Sequence, residues 1–473
     1  MLPDIEKIDG LNNNISIAIL ADGLDSIPFS FTSQEEEEYL RNKLLSENEW
    51  TLYRHPLIHF FCKTAGNSSP ELRLEKARKA GSRLFDLLRH EKIETLQITG
   101  HAGSETTLAF LEGLLLSSYT FSKYKKEKKN FVPGKFLVFD DKVSREDITE
   151  LQTLIQAVFF ARNLVNEPLS YLTAECLSEE IEKMGDEAGF TVETFNKKKI
   201  EALRMGGLLA VNKGSLEPPT FTILEWKPGN ASNEKPIVLV GKGVVYDTGG
   251  LSLKPTPKSM DYMKSDMAGG AVVAATLFAA AKNNLPVHLI GLVPATDNRP
   301  DGNAYVPGDV ITMFDGTTVE IKNTDAEGRL LLADALSYAK KYNPLLVVDV
   351  ATLTGTAELI TGSHAMVVMG NSAQDIQNLK AAGEKTFERM VEVPLWEEYA
   401  KPLESAIADL NNLGVREAQT SIAGKFLEHF TAFPWIHLDI AGVAYQHENY
   451  FYRPVGGTGF GVRLLYHFLK LFN

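Results

Sequence analysis

Three almost unbroken apolar runs constrain the fold more than any other feature of this chain: residues 237–240 (Ile-Val-Leu-Val), 288–293 and 345–350. Successive side chains of a strand point to opposite faces. A strand that is apolar at both parities therefore has both faces covered, as buried parallel strands do. Helix-like stretches at 270–282 and 329–341 lie beside these runs, and residues 15–20, 94–98 and 136–139 read as further strands. Residues 71–90, 106–118 and 147–165 read as helices. The alternation predicts an α/β protein with a mostly parallel central sheet flanked by helices. Around 309–321, two short strands flank Asp315-Gly316, a hairpin turn signal. A chain of 473 residues exceeds one ordinary domain, and the charged stretch 140–147 marks a boundary. The expectation is a small, non-catalytic N-terminal α/β domain (residues 1–145), a connecting helix (146–166) and a larger catalytic α/β domain (167–473).

The net charge of −13 argues against nucleic acid or an anionic membrane as the main partner. A lysine cluster at Lys123, Lys125, Lys126, Lys128 and Lys129 reads as a solvated loop or helix end. The Ala-rich run 271–281 is too short to span a bilayer. Only two cysteines occur, and acids stand where a signal peptide would start with basic residues. A cytoplasmic setting is expected.

The chemistry concentrates in two segments. One runs Gly241-Lys-Gly-Val-Val-Tyr-Asp-Thr-Gly-Gly-Leu-Ser-Leu-Lys254 and on to Ser265-Asp266; the other is Asn323-Thr-Asp-Ala-Glu-Gly-Arg-Leu330. The first leaves the 237–240 strand at the carboxyl edge of the sheet, where ligands of open α/β proteins collect. Glycines at 249 and 250 permit close approach to the backbone. Taken alone, Asp266 is a helix cap, and Asp325 with Glu327 a helix N-terminal charge pattern. In an extended segment, however, Asp325 and Glu327 point the same way. Together Asp247, Asp266, Asp325 and Glu327 carry four negative charges, which two divalent ions balance. Without metal they repel one another and raise their pKa values. Lys242 is the one nitrogen candidate, and none of the ten histidines falls in either segment. Such oxygen-rich ligands suit Zn²⁺, Mn²⁺, Co²⁺ or Mg²⁺.

At these residues the chain resembles the leucyl aminopeptidase (cytosol aminopeptidase) family of two-metal metallopeptidases. The resemblance rests on Asn323-Thr-Asp-Ala-Glu-Gly-Arg-Leu330, and extends in order from Ala161-Arg-Asn-Leu-Val-Asn-Glu-Pro168 through Met205-Gly-Gly-Leu-Leu-Ala-Val211, Ala351-Thr-Leu-Thr-Gly355 and His437-Leu-Asp-Ile-Ala-Gly442. It implies two metal sites. One is a tight site of Lys242, Asp247, Asp266 and Glu327; the other is an exchangeable site of Asp247, Asp325 and Glu327, with Zn or Mn bound and Co or Mg as substitutes. It further implies attack by metal-activated hydroxide, with Lys254 polarising the scissile carbonyl and Arg329 holding a bicarbonate general base. Met263, Thr352, Gly355 and Ala441 match positions lining the family's first side-chain pocket, an apolar wall suited to Leu- or Met-like residues. Ala444 matches a pocket position that carries a larger methionine in members of the family, which implies a roomier wall here, and the 254–260 stretch is one residue longer than the usual spacing. The implied activity is release of N-terminal amino acids, Leu-type but broad, from peptides with a free N-terminus. The implied assembly is a homohexamer. The alternatives are a dipeptidase such as a Cys-Gly hydrolase, or an added DNA-binding or regulatory role.

Overall fold

The computed structural model describes residues 2–22, 33–64, 68–126 and 131–472. Lys128 and Lys129 lie outside the described residues. The chain divides into two compact units. One comprises residues 1–156 and Glu448–Val455; the other comprises Ala157–His447 and Gly456–Asn473. The division falls inside the helix Arg145–Asn166.

The first unit is built on a six-stranded sheet. Its strands Asp4–Lys7, Lys135–Phe139, Thr95–Gly100, Ser16–Ala21 and Leu57–Lys63 run parallel in that spatial order. Glu49–Arg54 closes one edge antiparallel. The helices Pro70–Glu91 and Ser104–Leu116 each bury a long stretch of their length.

The second unit carries the larger sheet. Its centre is parallel: Trp435–Asp439 beside Leu346–Ala351, then Ile237–Gly241, then Leu289–Asn298. These are the three apolar runs plus the strand of the His437 motif, and every residue in them is buried. Antiparallel partners appear toward both edges, Met366–Gly370 on one side and Thr220–Trp226 with Thr191–Phe195 on the other. The short strands Val310–Thr312 and Thr318–Glu320 form the hairpin around Asp315-Gly316.

Helices cover both faces, as doubly apolar strands require. Val238, Val240, Ile290, Leu292 and Val347 join one core with Leu330–Leu336 of the helix Gly328–Ala339 and with Phe426. The helix Ala268–Lys282 takes the opposite face. It is hydrophobic all round, as fully enclosed helices are, and only Lys282 escapes burial. Its approach depends on glycine: a Cβ at Gly269 would lie 2.0 Å from the Val350 carbonyl oxygen, and one at Gly241 would lie 2.6 Å from the Gly269 carbonyl oxygen. Helix and sheet touch backbone to backbone at the place where Lys242 leaves the strand. Among the described residues, no helix is long and apolar enough to cross a membrane.

Candidate metal centre

The strand Ile237–Gly241 ends at Lys242, whose side chain is buried. Its Nζ donates to Asp266 Oδ1 at 2.9 Å, to Glu327 Oε1 at 2.8 Å and to the Thr352 carbonyl oxygen at 2.9 Å. Lys254 Nζ spans a second pair, Asp247 Oδ2 at 2.9 Å and Asp325 Oδ1 at 2.5 Å. The carboxylates of Asp247, Asp325 and Glu327 offer ligand atoms within 4.8 Å of one another. Glu327 thus belongs to both groups.

The two sequence segments meet through their glycines. Gly249 has φ of 87°, and a Cβ on it would fall 2.9 Å from Asp325 Oδ1; one on Gly250 would fall 2.9 Å from Thr324 Oγ1. The second acidic segment approaches the backbone at these glycines, together with the Ser252 carbonyl oxygen and the Asn298 side chain.

Two expectations about backbone are corrected. Asp266 does not cap the Ala-rich helix: it sits at the end of the 3₁₀ helix Met260–Met267, and the helix Ala268–Lys282 has no side-chain cap. Its carboxylate instead receives Lys242 and the Thr352 hydroxyl, the latter at 2.7 Å. Asp325 and Glu327 do not lie in an extended segment either. Asp325 is in a turn, and Glu327 already has helical dihedrals, φ −74° and ψ −39°. The turn, not strand alternation, brings their carboxylates together.

The electrostatics are those of acids crowded away from water. Burial raises the carboxyl of Asp266, and Glu327 and Asp247 add repulsion that Lys242 does not cancel. Glu327 is raised for the same reasons. Burial and Asp247 push Asp325 up to about 7, against the pull of Lys254. Burial lowers Lys242 and Lys254, but the surrounding carboxylates prevail and hold both above the usual lysine range. Four acids against two lysines leave an excess of two negative charges. Asp266 Oδ2 and Glu327 Oε2 are buried without a hydrogen-bond partner. Orphaned carboxylate oxygens beside like charges are costly unless a cation is to be held there, so the residues present fit divalent ions.

Arg329 lies apart from the acids' cavity. It is buried in the first turn of the helix Gly328–Ala339, its Nη1 donates to the Leu413 carbonyl oxygen at 3.5 Å, and its Nε has no partner. Burial pushes the guanidinium down to about 10, against the attraction of Glu327 and Asp439. A buried guanidinium with one long hydrogen bond has room in its donor set for an anion.

Lys242, Asp247, Lys254, Asp266, Asp325 and Glu327 line one cavity of about 280 Å³, together with Met263, Thr352, Gly355 and Ala441. Ala444 is buried, and its neighbour Tyr445 lines the cavity instead. Sequence reasoning missed Tyr262, Tyr445, His447 and Glu358 on the same walls. It also missed Asn298, whose Nδ2 donates to Asp247 Oδ1 at 2.8 Å and to the Thr324 carbonyl oxygen at 2.9 Å. A signal for Asn298 was present: Asp297-Asn298 is a polar end on an apolar strand at the sheet's carboxyl edge.

An α/β sheet with a buried acidic, lysine-tethered cluster at its carboxyl edge defines a metal-dependent hydrolase. The catalytic-domain description of the cytosol aminopeptidase family matches residues 159–466. Among curated proteins, a probable cytosol aminopeptidase of Geotalea uraniireducens is 41% identical over 86% of this chain and 84% of its own. One of Chlorobaculum tepidum is 52% identical over 66% of this chain and 62% of its own. Among solved structures, the bottromycin maturation enzyme BotP in complex with Mn superposes with a TM-score of 0.85 at 30% identity, covering 96% of this chain and 99% of that one. The chain belongs to the cytosol aminopeptidase family, and as such it is a metallo-aminopeptidase.

Proposed function

We propose that this chain releases N-terminal amino acids, Leu-type but broad, from peptides with a free N-terminus, using two divalent ions. The observation that carries the reading is the convergence of Lys242, Asp247, Asp266, Asp325 and Glu327 in one cavity, with buried carboxylate oxygens left unpartnered. Lys242, giving up its proton to make room for the ion, would join Asp247, Asp266 and Glu327 in holding one ion; Asp247, Asp325 and Glu327 would hold the other. Zn or Mn is the expected occupant, with Co or Mg as a substitute in the second site, and a relative's structure carries Mn. Bound there, the ions supply Lewis acidity toward the scissile carbonyl and toward an attacking water.

The substrate's free α-amine would bind at one of the ions as a neutral nitrogen, which confines cleavage to the N-terminus. The chain's own groups do the rest. Lys254, released from Asp247 and Asp325 when these hold metal, donates to the carbonyl oxygen as negative charge builds there. Arg329 would hold bicarbonate through its unfilled donors, and a base there would accept the water's proton and return it to the leaving amine. Asn298 and Thr352 hold Asp247 and Asp266 in position. Residues 1–145 form a non-catalytic domain in this reading, 146–166 the connecting helix and 167–473 the catalytic domain. The enzyme is cytoplasmic, as its relatives' names say of them, and assembles as a homohexamer.

The test is hydrolysis of Leu-p-nitroanilide and of its N-acetylated form, on protein stripped by chelator and then given Zn²⁺ or Mn²⁺. Only the free-amine substrate is expected to be cleaved, with activity lost on stripping and restored by metal. Cleavage of the acetylated substrate at a similar rate, or full activity in the stripped protein, would defeat the proposal.

A further inference from the structure

The cavity's wall is not the plain apolar surface that Met263, Gly355 and Ala441 imply. Three rings close around it. Tyr262 stacks on Tyr445 with centroids 5.9 Å apart and planes 20° apart, and His447 meets Tyr262 edge to face at 4.8 Å and Tyr445 at 5.4 Å. Tyr262 is fixed by donating from its hydroxyl to the Lys258 carbonyl oxygen at 3.2 Å.

Glu358 shares this wall. It lies on the helix Gly355–Thr361, three residues after Gly355, and so on the same helical face about one turn further along. Its Cα is 3.1 Å from where a Cβ on Gly442 would stand, next to Ala441. Glu358 therefore shares the wall begun by Gly355 and Ala441, at an exposed position. Among the described residues its carboxylate has no ion-pair partner. It is close enough to the Tyr262 ring to raise that hydroxyl after burial has done so, and Asp261 adds to the effect while Lys254 opposes it. Ring faces and an unpaired carboxylate together match a cation on a flexible stem: the faces hold the methylenes and part of the charge, and the carboxylate meets the rest.

We infer that Glu358, with the rings of Tyr262, Tyr445 and His447, widens the first side-chain pocket's preference so that substrates beginning with a basic residue, lysine or arginine, are taken at least as well as those beginning with leucine. The inference rests on the aminopeptidase reading above and names the substrate class of that same site.

The test uses metal-loaded enzyme at pH 8 with the p-nitroanilides of Leu, Lys, Arg and Glu, reading the ratios of kcat/KM within each variant. In the wild type, Lys and Arg are expected to match or exceed Leu. Glu358→Gln should lower the Lys:Leu ratio about tenfold, and Tyr262→Leu by about threefold, the scale of one charge and one ring face. Glu358→Lys should turn the preference toward the Glu substrate, a gain that misfolding does not produce. If Leu is cleaved but the Lys:Leu ratio stays within about twofold of wild type in both Glu358 variants, the basic-residue pocket is wrong and the aminopeptidase stands. If no free-amine substrate is cleaved with either metal, the aminopeptidase reading fails first and takes this inference with it.

Discussion

Glu327→Gln is expected to lower kcat/KM for Leu-p-nitroanilide by about three orders of magnitude, equivalent to about 4 kcal/mol of transition-state stabilisation. Glu327 and Asp247 are the two acids shared by both proposed sites, and of these Glu327 accepts from Lys242 while lying within ligand reach of Asp247 and Asp325. Its second oxygen is buried and unpartnered. Glutamine keeps the shape and the Lys242 contact but removes the charge, so both proposed sites weaken at once. Bound metal per chain, measured after gel filtration, should fall with the activity. The fold should not fall with it, because the substitution also removes one of several mutually repelling buried charges. The melting temperature of the stripped variant is accordingly expected to equal or exceed that of stripped wild type. Retention of a tenth or more of the activity with full metal content would show that Glu327 is not a ligand.

Gly269→Ala should be among the most destabilising single-methyl changes in the chain. The added carbon would fall 2.0 Å from the Val350 carbonyl oxygen and 2.9 Å from the Lys242 backbone nitrogen. Both obstacles are main chain in the buried centre of the sheet, so neither can turn aside as a side chain can. Overpacking of this kind costs about 3 kcal/mol, or roughly 6 °C in Tm. The added methyl also levers the start of the helix Ala268–Lys282 away from the strand that delivers Lys242, so metal affinity should drop along with stability. A thermal shift and a metal titration on the same sample check both. An unchanged Tm would mean that the helix and sheet are less closely joined than described.

The parts legible in the sequence were those whose physics is local. The central strands announced themselves because both of their faces are apolar, and the hairpin because Asp315-Gly316 suits a tight turn. The acids stood out because they fall among glycines within two short segments. The resemblance to the family, carried by residues from Ala161 onward, was borne out by the match at 159–466. The ring-and-carboxylate wall was not legible for the opposite reason. Tyr262 and Tyr445 are far apart in the chain, each an ordinary aromatic residue in its own neighbourhood, and Glu358 looks like any acid on a short helix. Only the fold puts them on one wall. Asp266 shows the intermediate case: the sequence singled it out, but its helix-cap reading yields to Lys242 and Thr352, which arrive from other strands of the sheet.

Two helices near the cavity differ in how far they are enclosed. Ala268–Lys282 is enclosed along nearly its whole length, and segments of that kind open only when the surrounding structure does. Gly355–Thr361 is a two-turn helix that leaves Leu359 85% and Ile360 47% exposed, so it opens at far lower cost. Lys242 and Asp266 adjoin the enclosed helix, while Glu358 rides on the exposed one. If Glu358 sets the preferred residue as inferred above, diet and chemistry are uncoupled: substitutions on the exposed helix can change which residue is trimmed without disturbing Lys242 and Asp266.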